Sequence, residues 1–368
     1  MLAGAPSSPI VRAGPPRRVA PEGARWLAVR EVTRATRDAI VIAFEPAFPP
    51  WRAGQFLTLT VPIGGESLRR AYSLCTLPAQ GPAIAVKRVA GGRVSEYLLE
   101  HAVAGMRFEV RGPSGQFVLP ARGGAAGVGP RHFVFVGAGS GITPLIALTE
   151  EALALGDRVT LVYGNRSPDD VIFRDRLAAL ERAHAQHAEG GPALVVRHVL
   201  EDGELPGSRR GRLDAAVVAA ELASLARADG VFSCGPAPVM AAVREAFPAL
   251  GWPRETLVEE RFQSLGERRP GLDERLPSTA QPLTITTRGL TRETLAKPGA
   301  TLLEAGLAAG LAMPYSCTMG GCGACRVKLT GEVVHDTPNA LTPEEAAAGW
   351  AFACVARPLG PCRVEVPP

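Results

Sequence analysis

The sequence predicts a multidomain chain: a strand-rich N-terminal unit, an α/β unit built on a parallel sheet, and a small half-open sheet that carries a cysteine cluster. Three observations point there. Short strand-like runs such as "GQFLTLTVP" and "AIAVKRV" occupy the first part of the chain. From "RHFVFVGAGSGITPLIAL" (131–148) onward, strands alternate with helical stretches, the pattern of an open parallel sheet. Finally, "PYSCTMGGCGACRVKL" (314–329) places three of the chain's seven cysteines within nine positions.

Length agrees with this division, since 368 residues exceed one ordinary core and suit two or three domains. Hydrophobic residues make up 46% and charged residues 21%, an ordinary globular balance. A formal charge of +4 is weak, so bulk charge argues for neither nucleic acid nor a membrane surface as partner. No apolar run approaches the roughly 18 residues that a membrane span requires. The first 21 residues mix prolines and arginines without a continuous apolar segment, so they read as a flexible tail and not a signal peptide. The expected location is the cytoplasm, where thiols stay reduced and clustered cysteines serve metal or redox chemistry.

In the N-terminal unit, residues 22–122, "RRAYSLCT" (69–76) supplies a cation at Arg70, a flat ring at Tyr72 and a hydroxyl at Ser73. "GGRVSEYLLE" follows, a glycine turn opening a helix with Ser95 as N-cap and free N–H groups for a phosphate. Cation, ring and phosphate-binding turn suit a dinucleotide with a large planar ring at its other end. By itself, R-x-Y-S is more commonly a buried tyrosine in a barrel strand. The glycine-rich stretch "ARGGAAGVGP" (121–130) ends this unit.

The α/β unit spans residues 130–265. Gly137, Gly139 and Gly141 let backbone approach a pyrophosphate, Thr143 and the new helix N-terminus offer donors, and Pro144 fits the first turn. A later strand ends at Cys234-Gly235-Pro236. The strand "VTLVYG" runs into Asn165, Arg166 and Ser167, a cation with two neutral hydrogen-bonding side chains. Arginine at that place accommodates a ribose 2′-phosphate, so the expected donor is NADPH over NADH. Asp169 and Asp170 follow Pro168, placed either to cap the next helix or to touch the ribose.

Residues 266–280 are charged, proline-containing and aperiodic, a solvated linker. From residue 281 to 368, "PLTITTR" reads as a strand, "RETLAKPG" as its hairpin partner, and "TLLEAGLAAGL" as a helix capped by Thr301, with a last strand "CRVEV". Cys317, Cys322 and Cys325 reproduce the plant-type spacing C-x₄-C-x₂-C, which awaits one distant cysteine, and Cys354 is the candidate. A zinc site would pair its ligands in two short couples, and Cys354 has no such companion. Glycines at 320, 321 and 323 let backbone N–H groups come close to sulfur. Cys362 falls outside the pattern and reads as a small apolar residue.

R-A-Y-S, G-R-V-S-E-Y-L, G-P-S-G-Q-F, G-A-G-S-G-I-T-P, Y-G-N-R-S and C-G-P occur in the order of the ferredoxin–NADP⁺ reductase family. Residues 281–368 resemble a plant-type [2Fe–2S] ferredoxin domain of the β-grasp fold. The whole, from about residue 22 to 366, resembles reductase components of phenylacetyl-CoA epoxidase and ketosteroid hydroxylase systems. That resemblance implies FAD on a six-stranded antiparallel β-barrel, NAD(P)H on the α/β domain, and transfer onward through the cluster to an oxygenase or hydroxylase. It implies that Arg70, Tyr72 and Ser73 hold the flavin, Lys87, Arg88 and Val94 line its site, and Gly92 and Ser95 meet its pyrophosphate. Gly139, Thr143 and Pro144 would contact the nicotinamide nucleotide, with Cys234 near the nicotinamide. In "VEERF", Glu260 and Phe262 match the family's E-x-F close to the flavin. Two alternatives use the same cofactors: direct reduction of a small molecule or another iron–sulfur protein, and a redox sensor without turnover. The intact nucleotide loop and Cys234-Gly235-Pro236 count against the sensor.

Overall fold

The computed structural model describes residues 24–122, 129–186, 191–260, 262, 275–315, 318, 320–321, 323–336 and 341–367. The expected tail (1–21), most of the linker, and Cys317 and Cys322 lie outside the described residues.

Strands β1 (Ala24–Thr36), β2 (Ala39–Phe44), β3 (Phe56–Ile63), β4 (Glu66–Ser73), β5 (Ala83–Lys87) and β6 (Arg107–Ser114) form an antiparallel sheet in the order β4-β3-β6-β1-β2-β5. An antiparallel bridge between Leu74 and Ile84 joins its two edges, so the sheet closes into a barrel. Alternation does the sorting: Leu57, Leu59 and Val61 of β3 and Ile40, Ile42 and Phe44 of β2 point into one core. Full burial of each such side chain contributes about 1.5–3 kcal/mol. Helix α1 (Arg93–His101) adds Val94 and Leu98 to that core.

Here one expectation is corrected. The N-cap of α1 is Gly92, and Ser95 sits inside the first turn. Its hydroxyl accepts from Val89 N at 3.1 Å and donates to Gly92 O at 2.9 Å, so it stitches the turn instead of offering itself at the helix end.

The second unit is a wholly parallel sheet. Its strands β7 (His132–Ala138), β8 (Arg158–Asn165), β9 (Leu194–Leu200), β10 (Arg209–Arg210), β11 (Gly230–Cys234) and β12 (Leu257–Glu260) lie in the order β10-β9-β8-β7-β11-β12. The order reverses at β7, which opens a crevice at the C-terminal ends of β7 and β11. Helix α2 (Ile142–Ala154) follows the glycine turn and is apolar nearly all round, because it lies buried between the sheet and the barrel. Asp170 does not cap the following helix, α3 (Arg174–Ala183), whose N-cap is Phe173; its carboxylate turns back to Arg166 and Ser167. Helices α4 (Ala215–Ala223) and α5 (Ala237–Ala246) share a second core with Val134, Val136 and Val162 of the sheet.

In the third unit, β13 (Gln281–Thr287), β14 (Leu290–Ala296), β15 (Arg326–Thr330), β17 (Trp350–Phe352) and β19 (Cys362–Glu365) make a sheet in the order β14-β13-β19-β15-β17. The short strands β16 (Val333–His335) and β18 (Ala356–Pro358) pair separately. Thr301 caps helix α6 (Leu302–Ala308) in a reciprocal box with Glu304. Among the described residues, the buried core of this unit lies between Leu283 and Val364.

Barrel and parallel sheet, in contrast, share a core. Ala53, Cys75, Phe117 and Leu119 pack in one cluster with Phe133, Phe135 and Phe232, and Phe117 lies edge-on to Phe232 at 5.3 Å. The fully enclosed Asp157 accepts from Arg122 at 2.6 Å and from Arg131 at 2.8 and 3.1 Å, gripping both ends of the glycine-rich link. Among the described residues, no helix is long and apolar enough to cross a membrane.

Candidate active site

The end of β4 reaches the C-terminal ends of β11 and β12. Ser73 Oγ donates to Glu260 Oε2 at 3.3 Å, joining positions 187 residues apart. Glu260 pairs in register with Cys234, and Cys234 with Gly137 at the mouth of the glycine turn. Three residues proposed from separate motifs therefore meet at one seam. Burial pushes the Glu260 carboxyl up to about 8, against the lowering pull of the Ser73 hydrogen bond. The Cys234 thiol, fully buried, is pushed well above its ordinary value by burial and then by Glu260. Both shifts favour the protonated, uncharged forms.

Gly141 shows why the turn needs glycine. A Cβ there would stand 1.9 Å from the Cys234 carbonyl oxygen, so the two loops pass with no room for a side chain. Gly139 has φ of +53°, and Lys87 Nζ comes within 3.3 Å of where its Cβ would be. Lys87, from β5, thus crosses from the barrel to the mouth of the turn. Its ammonium is held below the usual lysine value, first by burial, while Asp170 opposes that shift. Thr143 is buried and donates to Ser140 O at 3.0 Å, and Pro144 is buried in the first turn of α2.

On β4, Arg70 and Tyr72 share one face and Ser73 takes the other. Arg70 is half-buried and donates to the neighbouring Arg69 carbonyl at 2.7 Å. Burial raises the Tyr72 phenol and Arg70 partly offsets that. Arg88 is exposed, with Glu100 at 3.4 Å. Val94 faces the barrel core, and Gly92 is so close to Val89 and Ser95 that a Cβ would meet them at 2.9 and 2.8 Å. Phe262, two residues beyond Glu260, is 41% exposed.

At the end of β8, Arg166 binds Asp170 at 2.8 Å and Asp38 of the β1–β2 turn at 3.3 Å, while Ser167 donates to Asp170 at 2.9 Å. Sequence reasoning missed Asp38, which sits in an unremarkable turn 128 positions away.

The residues fit the groups that the resemblance implies. Among the described residues, Asn165 at the β8 end is 8% exposed beside the glycine turn, near the Tyr163 hydroxyl but with no well-formed hydrogen bond on either amide atom, so it can serve a ligand there. Thr58 Oγ1, on the Ser73 face of the sheet, is likewise buried and unpartnered. In the third unit, Cys325 and Cys354 are buried with their sulfurs 3.2 Å apart, and Gly320 N–H points at Cys354 Sγ from 3.3 Å. Ala353 N donates to Cys325 O at 2.9 Å and holds the two cysteine segments together. Converging thiols with a backbone donor to sulfur are the chemistry of an iron–sulfur site.

Comparison with known proteins gives the same three parts in the same order. Residues 32–119 match the oxidoreductase FAD-binding domain, 135–245 the oxidoreductase NAD-binding domain, and 285–359 the 2Fe-2S iron-sulfur cluster binding domain. The chain is 35% identical over 345 residues to a component of the 1,2-phenylacetyl-CoA epoxidase of Escherichia coli (strain K12), covering 90% of this chain and 94% of that one. It is 37% identical over 352 residues to the ferredoxin reductase component of 3-ketosteroid-9-alpha-monooxygenase of Mycobacterium tuberculosis (strain CDC 1551 / Oshkosh), covering 90% and 92%. Among solved structures, phthalate dioxygenase reductase superposes with a TM-score of 0.59 at 26% identity, covering 94% of this chain and 98% of that one.

Proposed function

We propose, for a chain that belongs to the family of FAD-, NAD- and [2Fe–2S]-binding oxygenase reductase components, an electron path that crosses its three units. The protein is an NAD(P)H-dependent oxidoreductase that delivers electrons to an oxygenase or hydroxylase partner. Residues 22–122 hold FAD, 130–265 hold the nicotinamide nucleotide, 266–280 link, and 281–368 hold the cluster. With thiol ligands that must stay reduced, the cytoplasm is its place.

The observation that carries this reading is the Ser73–Glu260 bond at 3.3 Å, which brings the R-A-Y-S strand to the crevice of the parallel sheet. When bound, FAD takes two electrons at once from NAD(P)H and releases them singly to the cluster. The chain's own residues prepare that place. Arg70 supplies a fixed cation for the pyrophosphate and Tyr72 a flat wall for the ring. Gly139, Gly141 and Lys87 leave backbone and one cation facing the nucleotide. Ser73 donates to Oε2 of Glu260, which leaves Oε1 to hold the proton, so the seam stores a proton without carrying a charge. Cys234 acts as a neutral, polarizable wall and not as a nucleophile, because its thiol stays protonated. Cys317, Cys322, Cys325 and Cys354 ligate the iron, and Arg166 with Ser167 favours NADPH over NADH.

An absorption spectrum of the purified protein tests the reading. Flavin bands with cluster absorption are expected, and NADPH should bleach both. Colour that survives excess NADPH and NADH overturns it.

A further inference from the structure

Arg111, on β6 of the barrel, reaches out to the C-terminal sheet. Its Nη1 donates to Tyr315 Oη at 3.2 Å, and its guanidinium carbon lies 5.6 Å from the centre of the Tyr315 ring. Both residues are half-buried.

The position of Arg111 in the barrel and of Tyr315 in the segment before the cluster cysteines gives the contact its meaning. Arg111 pairs in register with Thr58 on β3, and Thr58 pairs with Ala71 on β4, which shares the face of Ser73. One row of residues therefore runs from the flavin strand to Arg111, two strand spacings or roughly 10 Å away. At the other end, Tyr315 packs on the C-terminal core and closes a segment that is firmly held there. Leu311 and Met313 are buried in that core, and Thr287 Oγ1 donates to Ala312 O at 3.0 Å. Two positions after Tyr315 comes Cys317.

We propose that Arg111 and Tyr315 form the docking clamp that seats segment 311–315, which leads in the chain to Cys317, against the barrel, which makes Arg111 a positioning residue for the internal electron transfer. This rests on the electron path proposed above. The step moves one electron from reduced FAD to the oxidised cluster, so the flavin is oxidised by one electron and the cluster reduced by one. No bond forms or breaks between the two domains. NAD(P)H, losing two electrons and a proton, supplies two such transfers. A planar guanidinium suits the task, since it donates to the hydroxyl while lying against the ring, which an ammonium does less well.

The test uses the full chain as Arg111→Ala, Arg111→Lys and Tyr315→Phe, each assayed for iron and flavin content. Rapid mixing with NADPH follows the flavin and cluster bands separately, and hydrogen exchange follows amides 311–315 in the cofactor-free protein. For Arg111→Ala, cluster reduction should slow about tenfold while flavin reduction keeps its wild-type rate. Exchange at 311–315 should quicken. Tyr315→Phe keeps the ring and loses the hydroxyl, so it should fall between; Arg111→Lys should restore part of the rate. Wild-type cluster reduction with unchanged exchange in both Arg111→Ala and Tyr315→Phe overturns the clamp. Should Arg111→Ala lose its cofactors, the Tyr315→Phe rate decides, and a wild-type rate there overturns the clamp as well. A wild-type flavin that NADPH and NADH both fail to bleach instead overturns the electron path.

Discussion

The barrel packs against the parallel sheet through one apolar core, an enclosed Asp157 and the Ser73–Glu260 bond, whereas its described contacts with the C-terminal unit include the polar and ring contact of Arg111 with Tyr315. The difference follows the chemistry asked of each contact. Two-electron transfer between two bound rings needs their atoms held at about 3–3.5 Å, which requires a rigid seam. Passing a single electron to a cluster makes no bond and tolerates a lighter junction. That lightness also leaves the C-terminal unit with a self-contained core.

The largest effect should come from breaking the lighter side alone. Cys354→Ser removes a proposed ligand and is expected to abolish cluster iron and sulfide, while flavin content and its bleaching by NADPH persist. Iron analysis and the visible spectrum check this; full iron content removes Cys354 from the ligand set. Next is the rigid side. Asp157→Ala removes the acceptor of two arginines at the seam and should cost about 1–3 kcal/mol, since Asp157 is enclosed while both arginines reach solvent. In urea, the transition of the barrel and parallel sheet should move down while that of the C-terminal unit stays in place. A single transition that shifts as a whole would show the two contacts to be equally tight.

A smaller effect concerns pH. A carboxyl raised to about 8 from an ordinary 4.5 keeps its proton in the folded protein after the unfolded chain has lost it. The folded state therefore loses stability from this group as pH rises from about 4.5 to 8. Flavin reduction should decline as pH rises through about 8, and Glu260→Gln should flatten that limb. An unchanged profile would remove Glu260 from the proton argument. The smallest effect belongs to Arg166, which is 58% exposed on its side chain and shared between two aspartates. Asp38→Ala should raise the NADPH-to-NADH preference by no more than about fivefold, and Arg166→Ala should lower it. Steady-state rates with each nucleotide measure both.

Local chemistry carried much of this into the sequence. Alternation set the strands of the barrel, Thr301 with Glu304 set the start of a helix, and the C-x₄-C-x₂-C spacing with Cys354 set the proposed cluster. Each of these depends on neighbours in the chain or on a short motif with one geometry. Ser95 shows the limit of that reading, because its hydroxyl had two backbone partners within reach and only the folded turn chose between capping and stitching.

What tertiary structure alone decided is which distant residues meet. Nothing local marks Asp38 as a partner of Arg166, Asp157 as the anchor of the link, or Arg111 as a neighbour of Tyr315, which lies 204 positions away. The same holds for Glu260, whose proton affinity comes from burial at a seam that exists only once barrel and parallel sheet have packed. Periodicity and spacing act within a single element, so they determine what each piece is. Burial and charge pairing act between elements, so the folded chain determines what each residue does.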